Sequence, residues 1–277
     1  AILQLDDEAQ LIGPLLQEYA YVQGITEAGH IVYEQSTGEL WESGGWVNMP
    51  DGDSIALPMP DEAWSVDLGK PVFLNNEPNN LLIPGYAWMS PARQPMVWRV
   101  DVSNSTVSAT ILTSTSGGEA HLILEDGTVL GMLYIDGASV PVEWPYPWTT
   151  WSPLAEVDSK IYWDAAILGN NDGLYAGAAS IAGLKVTWIH GVSGNLTILD
   201  SESLGLPPSD IEPVTFLPDG SLLLDVLDRT FYTSTAGSTQ YCTYSTSMLA
   251  HSKPYRGTVV TVYIVSNNIG EAWRGEW

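Results

Sequence analysis

Residues 213–232, PVTFLPDGSLLLDVLDRTFY, limit what this chain can fold into more than any other stretch. Val214, Phe216 and Leu217 form one apolar run; Leu222, Leu223, Leu224 and Val226 form a second, with Pro218-Asp219-Gly220 between them. Asp-Gly between two β-prone runs predicts a hairpin, because Gly accepts a positive φ and Asp tolerates one. The unit recurs. At steps of about 42–47 residues the sequence presents Thr37-Gly38, Asn79-Asn80, Asp126-Gly127, Asn171-Asp172-Gly173, Asp219-Gly220 and Asn267-Asn268. The two ends match each other directly, IVYEQSTGELWE from Ile31 and VYIVSNNIGEAWR from Val262. An apolar–turn–apolar unit at this period is the signature of a β-propeller.

A second hairpin type lies between the first. Trp98-Arg99-Val100-Asp101-Val102-Ser103-Asn104 runs into a β-prone stretch from Thr106, and Trp188-Ile189-His190 runs through Gly194-Asn195 into Leu196-Thr197-Ile198-Leu199. Two hairpins per period make four strands, the content of one propeller blade. FLPDGSLLLDV, WRVDVSNSTV and WIHGVSGNLTIL resemble the inner and outer hairpins of propellers with NHL- or YWTD-type repeats. The resemblance covers most of residues 29–277, implies the architecture, and carries over no functional residue.

The expectation is an all-β fold, a β-propeller of about six four-stranded blades, with five as the alternative. Residues 20–277 form the propeller domain and residues 1–19 a short N-terminal helical segment. Asp6, Asp7 and Glu8 suit a helix N-terminus, while Pro14 interrupts the stripe of Leu5, Ile12, Leu15 and Leu16. That segment is either a lid on the propeller or an anchor for assembly through those four residues. Residues 18–28 are a source for the strand missing from the last blade.

With 33 acidic and 9 basic residues in 277, the net charge is −24. This disfavours nucleic acid and anionic membranes, which need basic stripes. No apolar stretch approaches the ~20 residues of a membrane span, and no signal peptide is visible. Cys242 is the lone cysteine, which excludes an intrachain disulfide.

Catalytic motifs are missing from the sequence. His30, His121, His190 and His251 sit in separate repeats without metal spacing. Asp51, Asp53, Asp61 and Glu62 share a Pro- and Asp-rich loop where a structural Ca²⁺ is conceivable, but the Ca²⁺-loop pattern does not continue. No cofactor is expected. Asn104-Ser105-Thr106 and Asn195-Leu196-Thr197 match the glycosylation sequon at expected turns. The most unusual local feature is Trp144, Tyr146, Trp148 and Trp151, stiffened by Pro145 and Pro147. These rings either pack between blades or form a ligand-binding face for a glycan or protein.

The sequence therefore points first to a non-enzymatic binding or structural protein, extracellular or on a virion surface, of the phage fibre, spike or tail type. Its partner is a surface glycan or a neighbouring protein in a larger assembly, with homo-oligomers allowed. The alternative is a secreted propeller glycoside hydrolase, whose central carboxylates would come from Glu34, Glu125, Asp164 and Asp225.

Overall fold

The computed structural model describes residues 2–5, 8–11, 20–36, 42–74, 76–114, 116–154, 161–169, 174–191, 196–204, 206–216, 222–226, 229–233, 239–240, 249–250, 258–264 and 270–276. For 2–5, 8–11, most of 161–169, scattered positions of 211–226, and everything from 229 on, only the backbone and its pairing are described. These residues form strands and turns, and no helix occurs among them. The chain divides into two compact units, Ala1–Ala155 and Glu156–Trp277.

The first unit opens with β1 (Ile2–Leu5) and β2 (Glu8–Leu11), an antiparallel pair with Leu5 opposite Glu8. The helix expected over residues 1–19 is thus replaced by strands across these positions; Ile12, Leu15 and Leu16 lie outside the described residues. The reason is length: a helix starting at the acidic Asp6 meets Pro14 after eight residues, short of the dozen or so that a marginal helix needs.

Next come β3 (Ala20–Ile25), β4 (Ile31–Ser36), β5 (Ser43–Asn48) and β6 (Ser54–Ala56), a meander in chain order. Residues 20–25, expected to complete the last blade, therefore pair with β4 at the edge of the first meander. A second meander holds β7 (Ser65–Leu68), β8 (Val72–Leu74), β9 (Glu77–Trp88), β10 (Gln94–Asp101) and β11 (Thr106–Ile111). Both β7 and β8 pair with the long β9, and one parallel bridge, Ser43 to Ser65, joins the two meanders. Leu74 faces Glu77, so Asn79 and Asn80 run inside β9 rather than forming the expected turn.

A third meander is β12 (Gly118–Ile123), β13 (Val129–Ile135), β14 (Ala138–Trp144) and β15 (Ser152–Pro153). Its first hairpin closes at Asp126-Gly127, as the sequence predicts: Gly127 takes φ 89°, and Asp126 accepts the Thr128 N–H at 2.8 Å. Its second closes at Asp136-Gly137, with φ 50° and 81°.

Alternation of side chains explains the core. Leu81 and Ile83 of β9 enter a cluster with Val32, Val47, Val66 and Trp98, between the first two meanders. Leu82 points the other way, into a cluster with Val97, Val129, Val140 and Trp144 between the second and third. A strand buried on both faces reads as a continuous apolar run, and Leu81-Leu82-Ile83 is one. Each such side chain stabilises the fold by roughly 1.5–3 kcal/mol.

The second unit repeats the plan. Its meanders are β16 (Ile161–Gly169), β17 (Tyr175–Ile181), β18 (Leu184–His190), β19 (Leu196–Leu199), and then β20 (Ile211–Phe216), β21 (Leu222–Val226), β22 (Arg229–Thr233), β23 (Thr239–Gln240). A further sheet has β24 (Leu249–Ala250), β25 (Thr258–Ile264) and β26 (Gly270–Glu276). Ala176, Ile211, Phe216, Leu222 and Leu224 form the cluster between its first two meanders. Ala182-Gly183 closes the β17–β18 hairpin at φ 51° and 83°, the same tight turn as Asp136-Gly137.

Candidate functional site

Polar and aromatic side chains in the first unit gather where β7, β9, β12 and β13 meet. Glu119 on β12 is 1% exposed. It accepts hydrogen bonds from the Arg93 guanidinium and from the Tyr134 hydroxyl at 2.5 Å. His121 Nε2 lies 3.2 Å from the other carboxylate oxygen. Burial alone would raise the Glu119 pKa; His121, Tyr134 and Arg93 outweigh it and hold the group at about 2. Burial beside that carboxylate pushes the Tyr134 hydroxyl pKa up.

Asp67 on β7 accepts the Trp88 indole N–H at 2.5 Å and bonds to Tyr86, whose pKa rises mainly through burial and then through that carboxylate. Above this layer Arg93, one-third exposed, places its guanidinium carbon 4.0 Å from the Trp88 ring centre and 5.4 Å from that of Tyr86. Trp64, 42% exposed, has its ring 5.4 Å from Trp88. A cation over an indole face is worth about 0.5–2 kcal/mol. The result is a fixed aromatic and cationic platform, anchored from below by Glu119 and Asp67.

Glu34 on β4 is a further buried acid of this unit. It is 8% exposed, and its Oε1 accepts from the Leu68 N–H at 2.7 Å and the Gln23 amide at 2.9 Å. Burial, helped by the Asp67 charge, raises its pKa to about 7 against the pull of those two donors.

No family model matches the chain, and no curated protein matches it. Solved structures do. The propeller domain of the Trilobed protease from Pyrococcus furiosus, described as having an open velcro topology, matches 97% of this chain over 81% of its own, with 12% identity and TM-score 0.61. Acylaminoacyl peptidase from Pyrococcus horikoshii matches 98% of this chain and 45% of its own, at 10% identity and TM-score 0.60. TolB from Acinetobacter baumannii matches 90% and 64%, at 12% identity and TM-score 0.52. The fold is that of a β-propeller. At these identities the likeness carries the fold alone, and the chain spans less than two thirds of the peptidase and TolB chains. These neighbours are peptidase and TolB propellers, so they support the architecture without bearing on an NHL or YWTD repeat type.

Within this propeller fold the expected site residues fall in different places. Trp144 is fully buried on β14 and donates its indole N–H to Thr113 O at 2.9 Å. Trp148 is 8% exposed and donates to Gly127 O at 2.8 Å. Trp151 packs partly buried against the same core. Of the four rings of the aromatic loop, Tyr146 alone faces solvent, 44% exposed and edge-on to Trp148 at 5.2 Å. The loop is mainly a core plug.

Glu125 is an exposed turn residue. Asp164 and Asp225 lie on β16 and β21, with side chains outside the described set; Cys242 and His251 lie outside it altogether. Leu5 is placed on β1, its side chain likewise undescribed. His30 is buried and within 3.0 Å of Thr26 Oγ1, a core histidine, while His190 stacks on Tyr175 at 5.7 Å. Asp51 accepts the Asp53 N–H at 3.2 Å within an exposed turn. Among the described residues no group of His, Cys, Asp or Glu is arranged to hold a metal ion.

Sequence reasoning missed Asp67, Tyr86, Trp88, Arg93, Glu119 and Tyr134. The available signal was the recurrence of an acid on a strand preceding Gly-x-x-aromatic, in Gly85–Trp88 and again in Gly131–Tyr134.

Proposed function

We propose that the chain is a non-catalytic β-propeller binding protein of about six blades, a surface component of a virion or cell of the fibre, spike or tail type. Its ligand face is the Trp64–Trp88–Arg93 platform, and its ligand an uncharged glycan on a partner surface. The observation that carries this reading is the exposed Trp64 ring beside Trp88, which is held rigid by Asp67 below and Arg93 above. A rigid flat ring loses little entropy when a sugar face stacks on it. Exposed Asp61 and Glu62, just before Trp64, offer acceptors for sugar hydroxyls. The −24 charge disfavours anionic ligands.

A glycan array followed by titration calorimetry tests the proposal. The expected result is binding of a neutral glycan that weakens more than about ten-fold in Trp64→Ala with unchanged stability. Binding that survives Trp64→Ala, or no binding at all, overturns it.

One observation favours the glycoside hydrolase reading. Glu34, with its pKa raised to about 7 beside the Asp67 charge, has the protonation behaviour of a general acid. Turnover of a glycan substrate that disappears in Glu34→Gln would establish that reading instead.

A further inference from the structure

β11 is the outer strand of its sheet and, among the described residues, pairs with β10 alone. Leu112 donates its N–H to Pro95 O, which fixes the alternation: Thr110, Ser108 and Thr106 turn their backbone groups towards β10. Val107, Ala109 and Ile111 therefore direct their N–H and C=O groups outward, along an edge with no hydrogen-bonding partner among the described residues.

An open edge is usually protected by charge, proline or a bulge. β11 has none of these. Thr106-Val107-Ser108-Ala109-Thr110-Ile111 is uncharged and in unbroken register with β10, and its residues are exposed except for the half-buried Val107. Ile111 is 52% exposed. The surrounding sequence is also neutral, with no charged residue between Asp101 and Glu119 in a chain of net charge −24.

We infer that β11 is a homodimerisation edge, pairing antiparallel with β11 of a second copy about a two-fold axis at Ala109. The strand is complementary to itself in this register. Ala109 faces its own equivalent, Val107 faces Ile111, and Ser108 faces Thr110, so each face meets its own chemistry. Two strongly acidic molecules repel least where both are uncharged, and in this register Asp101 faces Gly117 rather than another acid. One six-residue strand pair falls well below the roughly 800 Å² per partner of a standard interface, so the dimer is weak and concentration-dependent.

Sedimentation equilibrium over a wide concentration range, with Ile111→Lys and Ala109→Pro, tests this. Ile111→Lys sets a charge against the apolar Val107 of the second copy and removes the apolar cross-strand contact. Ala109→Pro removes an outward N–H that β10 does not use. The expected result is a monomer–dimer equilibrium in the parent protein, shifted at least ten-fold towards monomer (about 1.4 kcal/mol) in both variants. In a Cys242→Ser background, oxidised Ala109→Cys should form a covalent dimer, because directly bonded antiparallel pairs bring Cα atoms to about 5.5 Å, within disulfide reach. Thr106→Cys in the same background should not. A parent protein that stays monomeric, or a dimer indifferent to both edge variants, overturns the inference.

Discussion

Tyr134 donates its hydroxyl to Glu119 at 2.5 Å, and one meander earlier Trp88 donates its indole N–H to Asp67 at the same distance. The two pairs occupy one structural position. Gly131 and Gly85 each precede the aromatic donor by three residues, and the acids face the residue after each glycine, Met132 and Tyr86. In the first meander the same two positions bond with donor and acceptor exchanged: Tyr33, facing Trp46, donates to Asn48, three residues after Gly45, at 3.3 Å. A cross-strand side-chain hydrogen bond is thus part of the repeat, tying neighbouring strands at the same level.

Removing Tyr134's hydroxyl should weaken the fold modestly, and removing the Glu119 carboxylate should weaken it more. Tyr134→Phe loses one hydrogen bond to a charged acceptor, a cost of about 1.5–3 kcal/mol. Glu119→Ala leaves Arg93, Tyr134 and His121 without their shared partner and should cost at least as much. Urea denaturation of both variants and the double variant checks this; the double should fall short of the sum, because both changes remove one contact.

The glycines beside these pairs should tolerate no side chain. A Cβ on Gly131 would sit 2.0 Å from Glu119 O, and one on Gly85 2.2 Å from Asp67 O. Neither backbone can retreat without breaking its strand pairing, so Gly131→Ala and Gly85→Ala should each cost at least ~2 kcal/mol. Gly137 has open space around it but φ 81°, so Gly137→Ala should cost only about 1–2 kcal/mol through backbone strain. Equal costs at all three sites would mean that close approach does not decide the matter.

Trp144 and Tyr146 should separate just as clearly. Trp144→Ala removes a fully buried indole and orphans Thr113 O, for about 3–5 kcal/mol. Tyr146→Ala removes a ring nearly half exposed and should stay within about 1 kcal/mol. Thermal melts of the two variants give the comparison.

These positions show what the sequence made legible. Asp126-Gly127 announced its turn because the turn demands a positive φ that few residues supply. Asn79-Asn80 carried the same local signal, yet packing overrode it: Leu81, Leu82 and Ile83 are all fully buried, which requires an extended β9 through both asparagines. Trp98 and Trp188 were readable as repeat markers, whereas the prolines around Trp144 disguised it as part of a loop. Its spacing from Gly131 matches that of Trp98 from Gly85, and each glycine's missing Cβ leaves room for the indole edge, 2.9 Å from where that atom would stand. The platform was not legible, since Trp64, Trp88 and Arg93 converge only after two strand pairings and a loop are in place.

Glu34 and Glu119 should bend the pH dependence of stability in opposite directions. Glu119 ordinarily titrates at 4.5 but is held at about 2 in the fold, so its contribution is complete above pH 4.5 and is lost as pH falls through about 2. Glu34 is raised from 4.5 to about 7. Between those values the folded state keeps a proton that the unfolded chain has released, so stability falls as pH rises from 4.5 through 7. The full effect approaches about 3 kcal/mol. Repulsion among the 33 acids acts in the same direction on the neutral side. Glu34→Gln separates the two contributions, because it removes the Glu34 slope and leaves the general repulsion in place. Denaturant unfolding between about pH 3 and 8 should show the variant overtaking the parent as pH rises, with a gain of about 2–3 kcal/mol at the upper end. Parallel curves above pH 5 would show that Glu34 is already ionised in the folded protein.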